Sequence, residues 1–121
     1  MRARGSDEGV ATVWAAGAIV VLLVVAVAWL QLGAVLVVRH RAESAADLAS
    51  LAAAGRVVAG ERLACDRARQ ITDRARVRLV SCRLAGWDAL VVVAADVGGP
   101  LRGAGTVTAR ARAGPVQEIG Q

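Results

Sequence analysis

The sequence predicts an α+β fold: one long N-terminal helix, a second short helix, and a small three-stranded antiparallel sheet. Three observations lead there. Residues 10–38 hold no Asp, Glu, Lys or Arg, residues 61–75 space their apolar positions as a helix does, and from residue 77 the apolar positions run or alternate as in strands. A chain of 121 residues leaves room for one small folded unit beside such a helix, which excludes a multidomain enzyme.

The first helix is argued from solvent. Between Gly9 and Val38 the clearly polar side chains are Thr12 and Gln31. A bilayer core needs about 20 apolar residues in helical form, so residues 10–38 are long enough for a transmembrane span. Val is a mediocre helix former in water, but lipid forces the backbone to satisfy its own hydrogen bonds. Trp14 and Trp29 stand roughly 22 Å apart along a helix axis, a spacing that suits interfacial anchoring at both ends. Arg39-His40-Arg41 marks the exit, with His40 read as a headgroup-level polar residue rather than a ligand. Residues 42–54 have high helix propensity, and Glu43 and Asp47 share one polar stripe. One helix is therefore expected from about Ala11 to Val58, amphipathic over 39–58, with Gly55 and Gly60 as interruptions.

Residues 59–113 are expected to form a small helix-plus-sheet domain. Ala64, Ala68, Ile71 and Ala75 lie on one stripe flanked by Leu63 and Cys65, while Arg62, Asp66, Arg69, Asp73 and Arg76 point elsewhere. Val77 to Leu84 is the first strand, Ala85-Gly86-Trp87-Asp88 a turn, and Ala89 to Ala95 a β-prone apolar strand. Gly98-Gly99-Pro100 ends it, and Leu101 to Gly105 reads as a loop. Thr106 to Arg112 alternates, with Val107, Ala109, Ala111 and Ala113 on one face and Thr106, Thr108, Arg110 and Arg112 on the other. The tail 114–121 is expected to be disordered.

Cys65 and Cys82 form no CxxC motif and have no neighbouring His, so no metal site is expected. An even cysteine count in an exported small domain favours a disulfide; two buried thiols in a cytosolic domain is the other reading. Basic residues flanking the span nearly tie, so the cysteines set the orientation: a single-pass protein of the cell membrane with its C-terminal domain extracytoplasmic. Ala26-Val27-Ala28 has the form read by signal peptidase, which would make a small secreted basic protein, but the apolar stretch is about twice a normal signal core.

Catalysis is not expected. The single His cannot build a Ser-His-Asp set, and there is no GxGxxG, phosphate loop or metal-ligand cluster, so no cofactor and no small-molecule substrate are expected. The basic residues are all Arg, thirteen of them after the span against eight carboxylates. Facing the cytoplasm, such a domain would suit nucleic acid or anionic lipid; facing out, acidic partners. Few aromatic side chains interleave with the arginines to stack bases.

Two stretches carry a family resemblance: Asp7-Glu8-Gly9-Val10-Ala11-Thr12-Val13-Trp14 before the apolar run, and Arg39-His40-Arg41-Ala42-Glu43-Ser44-Ala45-Ala46-Asp47-Leu48-Ala49-Ser50-Leu51-Ala52-Ala53-Ala54 after it. The chain resembles the TadE-like proteins of Flp/Tad pilus assembly and secretion systems, nearest to a short actinobacterial branch encoded near helicase and secretion genes. The resemblance implies a pilin-like fold and a non-catalytic minor pilin or pseudopilin. It implies a leader over 1–9 cut by a prepilin peptidase after Gly9, leaving Val10 as the new N-terminus. The block Arg41, Ala42, Glu43, Ala45, Ala46, Asp47, Leu48 and Ala49 is then a helix-packing segment. Its implied partners are membrane lipid, other Tad-type pilins and the Tad inner-membrane machinery. The family's Glu at the fifth mature position is Trp14 here, which implies a capping, priming or accessory role rather than a major filament subunit.

Overall fold

The computed structural model describes residues 4–98 and 105–116, with side chains described from residue 7. Its elements, in order, are α1 (Arg4–Ala54), a 3₁₀ turn (Val57–Ala59), α2 (Glu61–Arg74), β1 (Arg78–Ala85), β2 (Asp88–Asp96) and β3 (Thr106–Ala113). The fold is α+β, with the three strands antiparallel in the order β1-β2-β3. The expected loop over 101–104, the tail over 117–121 and residues 1–3 of the expected leader lie outside the described residues.

Helix α1 starts several residues earlier than the apolar run predicts. No Pro or Gly pair separates Arg4 from the run, and Asp7 in the first turn complements the helix dipole. Thr12 adds an Oγ1 hydrogen bond to the Glu8 carbonyl at 2.9 Å. At the other end the α-helix stops at Ala54, where Gly55 and Arg56 form a turn before the 3₁₀ segment. Gly60, at φ 99°, then breaks the chain direction ahead of α2, a conformation that favours glycine.

The chain divides into two compact units, residues 1–33 and 34–121. In the first, the described residues, 4–33, are all helix. From residue 10 on it is uncharged and largely apolar on every side, and Val13, Trp14, Leu22 and Leu30 are each at least two-thirds exposed. Among the described residues α1 is the one helix long and apolar enough to cross a membrane, and none of its apolar window is buried. Such a surface is stable only against lipid or other apolar helices.

The second unit holds the core. Ala42, Ala45, Ala46, Ala49 and Ala53 of α1 form one cluster with Ala64 and Ala68 of α2 and with Ala89, Val91, Val93 and Ala95 of β2. The core is dense in alanine, with Val91 and Val93 the largest apolar side chains fully buried in it. Ser50 and Thr72 are buried too, each returning its hydroxyl hydrogen bond to a carbonyl one turn back, Asp47 and Arg69 respectively. Thr72 was not on the stripe read from the sequence, and Leu63, placed beside that stripe, is exposed.

Two features fix how α2 meets β1. The first is a Schellman ending, in which the Val77 N–H donates to the Thr72 carbonyl and the Arg76 N–H to the Asp73 carbonyl. It requires a left-handed residue, here Arg76 at φ 58°. An L side chain in that conformation costs about 1–2 kcal/mol. Arg76→Gly is accordingly expected to stabilise the unit by about 1 kcal/mol, read as a shift in the denaturation midpoint of the full chain in detergent micelles. The second feature is a bulge in β1. Leu79 pairs with Val93 but Ser81 pairs with Val92, leaving Val80 as the extra residue. Strict alternation would put Leu79, Ser81 and Arg83 on one face. The bulge shifts the count by one, and Leu79, Cys82 and Leu84 all pack against the core.

Candidate functional site

The residues singled out by sequence fall into three places. Gly9, Val10 and Trp14 lie in the first unit. All three are within α1, and Val10 and Trp14 are exposed, Trp14 to 76%. Trp14 borders a shallow apolar surface with Val13, Gly17, Ala18, Val21 and Leu22. A Cβ added at Gly9 or Gly17 would meet nothing within 4 Å. The Gly9–Val10 bond is helical, so a peptidase that reads extended backbone would first have to unwind the opening turns.

The block over 41–49 is divided by the helix. Ala42, Ala45, Ala46 and Ala49 are buried against the chain's own core, whereas Arg41, Glu43, Asp47 and Leu48 are exposed. Glu43 accepts a hydrogen bond from Arg39 Nε at 3.0 Å, one turn earlier. His40 is exposed on α1. The surface this segment offers to another helix is therefore Leu48 and Leu51, both more than half exposed, rather than its alanines.

Cys65 and Cys82 are joined by a disulfide, with Cα atoms 5.7 Å apart. It ties the first half of α2 to the middle of β1. Glu61 reinforces that seam, its carboxylate accepting a hydrogen bond from the Leu84 N–H at 3.1 Å. Both cysteines are partly buried.

The arginines are distributed in a way that sequence clustering did not resolve. Arg74 and Arg76 sit at the end of α2, and Arg102 is outside the described residues. Arg78, Arg83, Arg110 and Arg112 all belong to the open face of the sheet, opposite the core. Along the middle of that face β2 presents Asp88, Leu90, Val92, Ala94 and Asp96, acidic at both ends and apolar between. Arg112 donates to Asp88 from Nε at 2.8 Å and also from Nη2. Arg78 and Thr106 both donate to Asp96 Oδ1, at 3.2 and 3.1 Å. Gly114 makes room for the first pair, because a Cβ there would overlap the Asp88 carboxylate. Among the described residues no cluster of His, Cys, Asp and Glu could hold a metal ion.

Residues 9–56 match the Tad family, described as Flp pilus-assembly TadE/G-like. A curated relative, the apoptosis inhibitor Rv3654c of Mycobacterium tuberculosis, is 49% identical over 53 residues, which are 44% of this chain and 63% of that protein. The match thus spans less than two thirds of the relative's length. No solved structure matches the chain.

Proposed function

We propose that the protein is a membrane-anchored minor pilin or pseudopilin, a non-catalytic component of a Tad-type pilus or secretion apparatus, a reading supported by the match of residues 9–56 to the TadE/G-like Flp pilus-assembly family. In this reading residues 1–9 are a leader, 10–38 cross the membrane, 39–54 continue the helix, and 59–113 form an extracytoplasmic domain. The observation that carries it is the overlap of that family segment with a helix whose membrane-length apolar window is wholly unburied. Such a helix needs lipid or neighbouring helices, and a pilus component has both: lipid before assembly, other pilins and the inner-membrane machinery during it.

Trp14 defines the finer role. A carboxylate at that position could pair with a terminal amine inside a bundle of helices; an indole cannot, and its amphipathic ring instead favours the membrane interface. An accessory or capping subunit fits better than a repeating one. The disulfide supports an oxidising compartment for residues 59–113. The relative's role as an apoptosis inhibitor belongs to that protein, and nothing in this chain's geometry selects it.

The test is the intact mass of the protein from its native membrane, with and without reductant. The expected species begins at Val10 and gains two hydrogens on reduction. A full-length chain with free thiols would overturn processing and export together, in favour of an anchor with a basic cytoplasmic domain. A chain beginning at Trp29 would make it a conventionally secreted protein.

A further inference from the structure

We propose that the open face of the sheet is a docking surface for an extended acidic segment of a partner protein, with the spacing carboxylate, any residue, apolar, any residue, carboxylate. This surface is a property of the sheet alone, whatever the first unit does.

The charge pattern comes first. Of the four arginines on this face, Arg112 and Arg78 are already engaged by the chain's own Asp88 and Asp96. Arg83 and Arg110 have no carboxylate within ion-pair distance among the described residues. They are exposed and flank a groove of about 320 Å³ floored by Leu90 and Val92, both half-buried. The face thus repeats one motif, an arginine beside the β2 row, and fills it internally at each end but not in the middle. Arginine's planar fork suits a carboxylate in two-point contact.

The register then sets the spacing. Arg83 is opposite Leu90 on one side of β2, and Arg110 is opposite Val92 on the other. Two strand separations and a two-residue offset put their Cα atoms roughly 12 Å apart. In an extended chain, residues four apart are separated by about 13 Å and point the same way, as does the residue midway between them. Two carboxylates at those positions meet Arg83 and Arg110, and the central apolar side chain lands on Leu90 and Val92. A phosphate polymer would match the arginines but would gain nothing from the apolar floor between them, which is why a polypeptide is favoured.

The experiment uses the full chain in neutral detergent micelles and a fluorescein-labelled Ser-Glu-Thr-Val-Thr-Glu-Ser peptide, followed by anisotropy. Three comparisons accompany it: the same peptide with both Glu changed to Gln, a single-stranded oligonucleotide of equal charge, and vesicles containing phosphatidylglycerol. Saturable binding of the Glu peptide is expected, weakened roughly tenfold or more in Arg83→Gln/Arg110→Gln. Arg67→Gln/Arg69→Gln, on the exposed side of α2, removes the same charge and should leave binding unchanged. Val92→Thr, nearly isosteric, should weaken the Glu peptide without affecting any binding of the oligonucleotide. No saturable binding, equal losses in the two arginine pairs, or tighter binding of oligonucleotide or vesicles than of the Glu peptide would each overturn the proposal.

Discussion

Replacing Cys65 and Cys82 together by serine is expected to cost residues 34–121 about 3 kcal/mol of stability, the chain-entropy value for closing a loop of this size. The bridge spans a sequence separation of 17, and within it lie the rest of α2, the left-handed Arg76 and the Val80 bulge. The loss should be large in proportion because the core is built chiefly from Ala and Val, and a domain of this size has little margin. Hydrogen exchange on the full chain in micelles is the measurement. The central-strand amides, Val91 and Val93 above all, should lose protection by roughly a hundredfold. Dithiothreitol should do the same to the unmodified protein. Unchanged protection in both would mean that the α2–β1 seam holds without its covalent tie.

Ala49→Asp should be at least as damaging. Ala49 has no exposed surface and sits in the cluster that joins α1 to the sheet, so a carboxylate there would be buried with no cation provided for it. A buried unpaired charge costs about 3–5 kcal/mol. Leu48→Asp, one residue earlier, places the same group on an exposed position and should shift stability by no more than about 0.5 kcal/mol. Comparing denaturation midpoints of the two variants separates a packed seam from a merely helical one. Equal midpoints would show that the alanines do not bear on the sheet.

Much of the second unit was legible because its signals are local. The α2 stripe at Ala64 and Ala68, the Gly86-Trp87 turn and the alternation of β3 come from spacings of two or four residues, and each stands where the sequence put it. The limits of α1 were less legible. Residues 4–10 are helical by continuity rather than by any apolar pattern, and the C-terminal end stops at Ala54 instead of running to Val58. The candidate surface on the sheet was hidden for a different reason. Arg83 and Arg110 are 27 positions apart, and only the β1–β2 and β2–β3 registers bring them to opposite sides of one groove. The division of the face into paired and unpaired arginines likewise depends on Asp88 and Asp96 terminating the same central strand.

The extra residue at Val80 has a bearing on inheritance. It acts like a frameshift in the strand's inside-outside code: before it odd positions face inward, after it even ones do. Cys82 reaches Cys65 only in the shifted frame. A descendant that straightened the bulge while keeping every residue would turn that thiol outward and bring the Arg83 guanidinium inward, whereas one that deleted Val80 would leave Leu79, Cys82 and Leu84 in a single regular frame. What the bridge makes heritable is therefore the phase of the strand at Cys82, not the presence of Val80 itself.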